Sequence, residues 1–273
     1  MNKHNTKPAP PKIIFFDIDD TLYLKQQNRV PDSIKQVFLA LKQRGILIAI
    51  ATGRGLGVFP PVILQLIDEI GIDVIVTING QYVLYRNKPL VDFALDKKDV
   101  VFIREYLHKI GVACAYMTAD KIVALSETCA LKNALNALHI PYTLNANFDD
   151  TSQHSEKIYQ ILAFYDNNQD ENLMQILPKH LKTIRWHISG VDILDANGSK
   201  ARGIKAVLDK LNLNMTQAWA FGDGLNDIEM LKAVGFGIAM GNGHTDLKQV
   251  ADFVCPNADE DGILKALHKF QVI

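Results

Sequence analysis

The sequence has few cysteines, and they form no recognisable redox or zinc motif. Cys114, Cys129 and Cys255 are scattered along 273 residues, and no Cys-x-x-Cys pair occurs. Neither a disulfide framework nor a thiolate metal site is therefore indicated. Unpaired thiols are typical of the reducing cytoplasm, which is the location that we expect.

Long apolar runs and a strong charge of either sign are also absent. The apolar segments Ile13–Phe16 and Ile46–Ala51 are far too short to span a bilayer. Met1–Lys12 is polar and proline-rich, which predicts a loose leader and not a signal peptide. The formal net charge of −1 gives no electrostatic reason to expect nucleic acid or an anionic membrane as a partner. We expect a soluble protein that binds neither.

What the chain does contain is a regular alternation of apolar strands and amphipathic helices. Strands predicted over Lys12–Phe16, Ile46–Ala51 and Asp73–Ile78 are separated by two segments with helical spacing, of which the second covers about 58–70. This order is typical of an α/β fold with a doubly wound parallel sheet.

The pattern changes after Asn79-Gly80, where strands and helices alternate without the parallel rhythm. The sequence predicts strands and helices, with polar loops at 145–155 and 166–171, over Gln81–Tyr85, Lys88–Phe93, Lys98–Ile110, Ile122–Ala124, Cys129–Leu138 and Ile158–Phe164. This mixture indicates an α+β module. The parallel pattern resumes after Asp192. We predict a core in two pieces with an α+β domain inserted between them.

Polar residues follow the predicted parallel strands at the points where those strands end. They are Asp17 and Asp19, then Thr52, then Lys200 at the start of a helix, and finally Asp223 and Asp227. Ligands of open α/β sheets bind outside the carboxyl ends of the strands. We therefore expect these residues to share one site.

The carboxylates of this set predict a magnesium site and a nucleophile. Asp17 and Asp19 share one face of an extended segment, and carboxylates so close repel unless a divalent cation or a shared proton compensates. Mg²⁺ prefers oxygen ligands, and Asp223 and Asp227 could complete the set. One carboxylate can then attack phosphorus to form an aspartyl-phosphate, while another acts as acid and base.

The remaining residues can balance the charge of a phosphoryl group. Thr52 offers a hydroxyl, Gly53 and Arg54 offer backbone N–H groups, and Lys200 offers a positive charge. Taken singly, each signal is weak, since an isolated Asp-x-Asp is usually a solvated loop. The ordered set favours the functional interpretation.

These segments resemble the motifs of a known superfamily, in order and in spacing. Asp17-Ile-Asp-Asp-Thr21, Thr52-Gly-Arg54, Ser199-Lys200 and Gly222-Asp-Gly-Leu-Asn-Asp227 are similar to motifs one to four of the haloacid dehalogenase (HAD) superfamily. Two further segments resemble its Cof-like, type IIB branch, namely Thr77-Ile-Asn-Gly80 and Met240-Gly-Asn-Gly243.

The resemblance implies a Rossmann-like core over 1–81 and 191–273. Between these pieces it implies an α+β cap over 82–190 that determines substrate specificity. It implies that Asp17 is the nucleophile and Asp19 the general acid and base. Mg²⁺ would be bound by Asp17, the backbone carbonyl of Asp19, and Asp223, with Asp227 close behind. The residues implied to bind or orient the phosphate are Thr52, Gly53, Lys200 and Asn226. Ala201-Arg-Gly203 departs from the family pattern and leaves open whether Arg202 takes part.

The expected activity is hydrolysis of small phosphomonoesters such as sugar phosphates, nucleotides or phosphorylated cofactors, by a monomeric enzyme. A sugar phosphomutase is an alternative, because type IIB relatives include such enzymes. A catalytically silent phosphate-binding protein is another, but it would be expected to lack one of the charged residues, and all are present.

Overall fold

The computed structural model describes residues 8–152 and 155–273. The predicted leader up to residue 7 and residues 153 and 154 of the predicted loop 145–155 lie outside the described residues. Within the described ranges, no helix is both long enough and apolar enough to cross a membrane.

Strands and helices alternate along the described chain. The strands are β1 (Ile13–Phe16), β2 (Leu47–Ala51), β3 (Val74–Thr77), β4 (Tyr82–Tyr85), β5 (Lys88–Asp92), β6 (Ala113–Met117), β7 (Ile122–Ala124), β8 (Thr143–Leu144), β9 (Gln160–Phe164), β10 (Leu181–His187), β11 (Gly190–Asp195), β12 (Ala218–Gly222), β13 (Phe236–Ala239) and β14 (Phe253–Val254). The helices are α1 (Ser33–Gln43), α2 (Pro61–Ile70), α3 (Lys97–Lys109), α4 (Cys129–Ala137), α5 (Asp170–Ile176), α6 (Lys200–Lys210), α7 (Ile228–Ala233), α8 (Thr245–Val250) and α9 (Gly262–Lys269).

The first sheet has the strand order β14-β13-β12-β1-β2-β3-β4-β5, with β14 and β5 at its two edges. The central strand β1 pairs in parallel with β2 on one side and β12 on the other. All four of its residues, Ile13–Phe16, are fully buried, as expected for a parallel strand covered on both faces. The predicted Rossmann-like α/β class is confirmed.

Local sequence determines where the helices of this sheet begin and end. Helix α2 has Pro61 at its first position and ends at Gly71, whose φ of 69° is left-handed, both common choices at helix ends. Helix α6 begins with a cap in which the Ser199 side chain accepts a hydrogen bond from the Arg202 N–H at 3.2 Å. This N-terminal capping hydrogen bond places Lys200 at the first position of α6.

The chain divides into two compact units, each with its own sheet. The first contains the chain up to Gly53, Pro60–Val91 and Ser199–Ile273, and the second contains Arg54–Phe59 and Asp92–Gly198. Strands β4 and β5, which we expected in the α+β module, continue the first sheet, with β4 antiparallel to β3. The functional division at residues 82–190 stays a prediction, and the compact units have different bounds.

The second unit is built on a six-stranded sheet with the order β10-β11-β9-β6-β7-β8. Its pairs are antiparallel except for β7 with β8. The parallel pattern resumes after Asp192 as predicted, with α6 and the parallel strand β12, but Asp192 itself still lies in β11 of this antiparallel sheet. The polar loop predicted at 166–171 is also wrong in part, since α5 begins at Asp170.

The sheet of the second unit contains a buried carboxyl group. Asp192 in β11 is 8% exposed. Burial raises its pKa to about 8, although the neighbouring Trp186 and Gln160 side chains oppose the rise. Since the folded state binds this proton more tightly than the unfolded chain does, the Asp192 contribution lowers stability as pH rises from about 4 to about 8.

We expect Asp192→Asn to stabilise the protein progressively as pH rises through this range. The gain should be near zero at pH 4 and grow by at most about 1.4 kcal/mol per pH unit. Urea unfolding at several pH values measures it. Glu105→Gln, on the exposed surface of α3, is the control. A stability difference that does not change with pH would contradict the prediction.

Candidate active site

Three carboxylates converge at the carboxyl ends of β1 and β12. Asp17 directly follows β1, and its N–H donates to Phe221 O at 3.0 Å. Asp223 directly follows β12, which pairs with β1 in parallel, so the two residues emerge side by side. Carboxylate oxygens of Asp17, Asp223 and Asp227 all lie within 4.8 Å of one another.

A buried lysine bridges two of these carboxylates. Lys200 Nζ lies 2.6 Å from Asp17 Oδ1 and 2.6 Å from Asp227 Oδ1, and the lysine is completely buried. The second oxygen of Asp227 accepts the backbone N–H groups of Asp223, at 3.0 Å, and Gly224, at 2.9 Å. Asp227 therefore positions both the lysine and the loop that carries Asp223.

The site contains more negative charge than Lys200 balances. Burial raises the pKa of Asp17 to about 7; Lys200 opposes the rise, while Asp227 and Asp19 add to it. Burial, followed by the charges of Asp17 and Asp227, raises the pKa of Asp223 to about 9. Burial alone would lower the pKa of Lys200, but Asp17 and Asp227 hold it above its ordinary value. The lysine is therefore charged at neutral pH.

These residues fit a bound Mg²⁺. Three carboxylates offer oxygen atoms close enough to share one ion, and the set contains neither the thiolates nor the imidazoles that zinc prefers. A divalent cation would also relieve the repulsion that adds to burial in raising the pKa values of Asp17 and Asp223.

Asp19 lies near this group, but its side chain is not a member of it. The residue is half-buried in a tight turn, in which the N–H groups of Leu22 and Tyr23 both donate to Ile18 O. Its charge contributes to the raised pKa of Asp17. The predicted acid and base role of Asp19, and metal binding through its carbonyl, stay predictions.

Three of the four predicted phosphate-binding residues, Thr52, Gly53 and Asn226, lie at or beside a second loop. Thr52 follows β2 and is buried, and its N–H donates to Val76 O at 2.9 Å. A Cβ at Gly53 would lie 3.2 Å from Asn79 Oδ1 and 3.3 Å from Asn226 Nδ2. Asn226 Nδ2 donates to Asn79 Oδ1 at 3.1 Å. In the sequence, Asn79 is recognisable only as part of the Thr77-Ile-Asn-Gly80 motif, and its place beside Gly53 was missed.

Arg54 and Arg202, which lie in or beside two of the recognised motifs, have defined hydrogen-bond partners. The Arg202 guanidinium donates to Gln81 Oε1. This contact shows where the side chain lies, which the motif alone could not. The Arg54 guanidinium donates to Val58 O at 2.8 Å and to Leu138 O at 3.2 Å, all within the second unit.

A further charge near the carboxylates was missed by sequence reasoning. Lys25 forms an ion pair with Asp20 at 2.8 Å. Burial lowers its pKa, but Asp20 outweighs the burial and raises it, with smaller contributions from Asp19 and Asp223. Asp20 has a left-handed φ of 55°, which is uncommon for a residue other than glycine. The sequence around Lys25 shows only a lysine in a polar segment, and nothing in it indicates that this side chain lies near the carboxylates.

We expect Lys200→Met to destabilise the metal-free protein by about 3–5 kcal/mol at pH 8, because two buried carboxylates lose their partner. Lys200 lowers the pKa of Asp17, so its removal raises that pKa further. Asp17 then takes up a proton more readily in the folded state, and the loss should be smaller at pH 5.

The matched control is Lys205→Met on the same helix. Lys205 is exposed and forms an i,i+4 pair with Asp209 at 2.7 Å, so its loss should cost less than about 0.5 kcal/mol. Denaturant unfolding in a chelator compares the two variants. Equal costs would show that the buried ion pair does not support the site.

Comparison with known proteins identifies the family. The model for haloacid dehalogenase-like hydrolases matches residues 14–267. A putative phosphatase of Bacillus subtilis, YkrA, is 32% identical over 96% of this chain and 98% of its own length. A putative bifunctional phosphatase/peptidyl-prolyl cis-trans isomerase of Streptococcus pyogenes is 33% identical over 96% of this chain, which spans only 54% of that longer protein.

A solved structure extends the comparison to the fold. The HAD subclass IIB sugar phosphatase BT4131 superposes with a TM-score of 0.86 at 28% identity, over 96% of this chain and 100% of that one. The predicted branch and the predicted enzyme class, a phosphatase, are confirmed. The chain belongs to the haloacid dehalogenase-like hydrolases.

Proposed function

We propose that this phosphatase hydrolyses small phosphomonoesters with Mg²⁺ through an aspartyl-phosphate on Asp17. The observation that carries the proposal is the convergence of Asp17, Asp223 and Asp227 around the charged Lys200. Sugar phosphates, nucleotides and phosphorylated cofactors are the candidate substrates. The sugar phosphatase activity named for the subclass IIB relative supports the first of these.

Asp17 is proposed to act as the nucleophile. One of its carboxylate oxygens attacks phosphorus, and the ester P–O bond breaks as the new P–O bond forms. Lys200 lies 2.6 Å from Asp17 Oδ1, so it fixes the orientation of the carboxylate and holds positive charge beside the reacting atoms. Asp227, which binds the other side of the ammonium group, keeps the lysine in place.

Asp19 is proposed to move the protons. It gives a proton to the leaving alkoxide in the first step. In the second step it takes a proton from a water molecule, whose oxygen attacks phosphorus and breaks the bond to Asp17. Phosphate leaves and the Asp17 carboxylate is restored. The half-buried position of Asp19, two residues after the nucleophile, supports this role.

The metal and phosphate sites are proposed to lie together at the carboxyl ends of the parallel strands. A bound Mg²⁺, held by Asp17, Asp223 and the carbonyl of Asp19 with Asp227 close behind, would supply positive charge to the phosphoryl oxygens. Thr52, the Gly53 N–H, Lys200 and Asn226 are proposed to bind those oxygens. The close packing of Gly53 against Asn226 supports their common role.

We expect Asp17→Asn to reduce phosphate release by a factor on the order of 10³ or more, because the amide is a poor nucleophile. The test uses the wild-type chain and a panel of phosphomonoesters, with and without Mg²⁺. Asp68→Asn, on the exposed surface of α2, is the control and should retain wild-type rates. Thermal unfolding checks that each variant is folded.

Retained turnover in Asp17→Asn would refute this residue as the nucleophile. Absence of release from every compound, in folded and Mg²⁺-loaded wild-type protein, would refute the hydrolase proposal. Isomerisation of a sugar phosphate that depends on a bisphosphate activator, without release of phosphate, would identify the phosphomutase instead.

We also propose that the second unit selects the substrate, and that the enzyme is a cytoplasmic monomer. All three cysteines are unpaired, which supports a reducing location. Analytical ultracentrifugation tests the monomer. For the second unit, exchanging its residues for those of a relative should change the ranking of substrates by kcat/KM without removing the need for Mg²⁺.

A further inference from the structure

The turn after β3 has an unusual backbone conformation. Ile78, Asn79 and Gly80 have consecutive positive φ values of 50°, 50° and 80°. Glycine adopts such angles readily, but a β-branched residue such as Ile78 is a clear outlier there. Strained backbone of this kind persists only where its surroundings hold it, and it is concentrated at functional sites.

Asn79 connects this turn to the proposed phosphate-binding loops. It is 3% exposed, and its N–H donates to Thr52 O at 3.1 Å. Its Oδ1 accepts from Asn226 Nδ2 at 3.1 Å. The two carboxamides together fill the space beside the Gly53 Cα, where a Cβ would lie within 3.4 Å of both.

The same turn also packs against the start of the lysine-bearing helix. A Cβ on Gly80 would lie 2.1 Å from Ser199 O and 3.0 Å from the Gly203 N. Ser199 caps α6, and Lys200 is the first residue of that helix. The turn therefore touches three loops that come from distant parts of the sequence.

We propose that Asn79 is a positioning residue for phosphoryl transfer, a proposal that rests on the proposed function. By accepting the Asn226 N–H and holding the end of β2 through Thr52 O, it fixes the carboxamide of Asn226 and the backbone of Gly53. Both groups then face the phosphoryl oxygens in one orientation. Catalytic groups lose much of their effect when they are displaced by as little as 1 Å.

A purely structural role of Asn79 leads to a different expected outcome for its substitution by glycine. If Asn79 were needed only to form the strained turn, glycine would replace it without loss, because glycine adopts positive φ without a steric penalty. If the carboxamide positions Asn226 and Gly53, glycine keeps the turn but loses that function. Asn79→Gly therefore separates the backbone requirement from the side-chain requirement.

The matched control is Asn87→Gly. Asn87 also has a left-handed φ, of 58°, but is exposed in the turn between β4 and β5. We expect Asn87→Gly to keep the melting temperature of the wild type. Asn79→Gly should remain folded at the assay temperature but melt at a lower temperature, because it loses a buried side chain and the acceptor of Asn226 Nδ2. Asn79→Gly should lose about 10- to 100-fold in kcat, and inorganic phosphate should inhibit it less strongly by about tenfold. Asn87→Gly should match the wild type in both measurements.

A double-mutant cycle tests the contact itself. Asn226→Ala and Asn79→Gly should be strongly non-additive in kcat/KM, since each removes the same amide contact. Wild-type kcat and wild-type phosphate inhibition in Asn79→Gly would overturn the proposal, as would additive losses in the double variant.

A direct measurement of phosphate binding distinguishes failure of this proposal from failure of the proposed function. Calorimetry with inorganic phosphate and Mg²⁺ does not depend on turnover. If the wild type binds phosphate but hydrolyses nothing, the hydrolase proposal fails, and weaker binding in Asn79→Gly still supports positioning. If the wild type does not bind phosphate, both proposals fail.

Discussion

The ion pair network of Lys200 is the interaction on which the rest of the site depends. Its ammonium group is fully buried between Asp17 and Asp227, and a buried charge is costly unless it is well paired. The pairing ties the start of α6 to the ends of β1 and β12. Burial, together with the neighbouring carboxylates, raises the pKa values of Asp17 and Asp223 to about 7 and about 9. The fold thus maintains a charge distribution that a cation and an anionic substrate would complete.

Strand order explains how residues far apart in sequence reach this network. Parallel pairing of β1 with β2 and β12 brings the ends of three strands to one edge of the sheet. Each strand then contributes the residues that immediately follow it, as open α/β sheets commonly do. The turn at Ile78–Gly80 packs beside these ends, and its contacts with Thr52 and Asn226 are short-range and specific. The strand order brings the site residues to their approximate positions, and the hydrogen bonds of the turn fix the orientation of those residues.

The sequence predicted the parallel strands and the polar residues at their ends, because doubly buried strands are continuous apolar runs with clear limits. It was less informative for the second unit. Strand β10 mixes Lys182, Thr183 and Arg185 with apolar residues, so it shows no clean alternation, and α5 has only seven residues. The sequence also did not show that β4 and β5 join the first sheet, since nothing in their residues indicates which sheet they pair with. The contacts of Asn79 and Lys25 depend on tertiary packing and leave no local pattern.

The first sheet ends in two strands that make poor templates for another chain. At one edge, β14 is only two residues long. At the other, β5 presents Lys88 and Pro89, both exposed. Proline cannot donate a ladder hydrogen bond, and a lysine disfavours burial of the edge against a second strand. Addition of a strand from a neighbouring molecule is therefore unfavourable at both ends, so the core can keep a wide, strongly apolar sheet without exposing a surface that promotes aggregation.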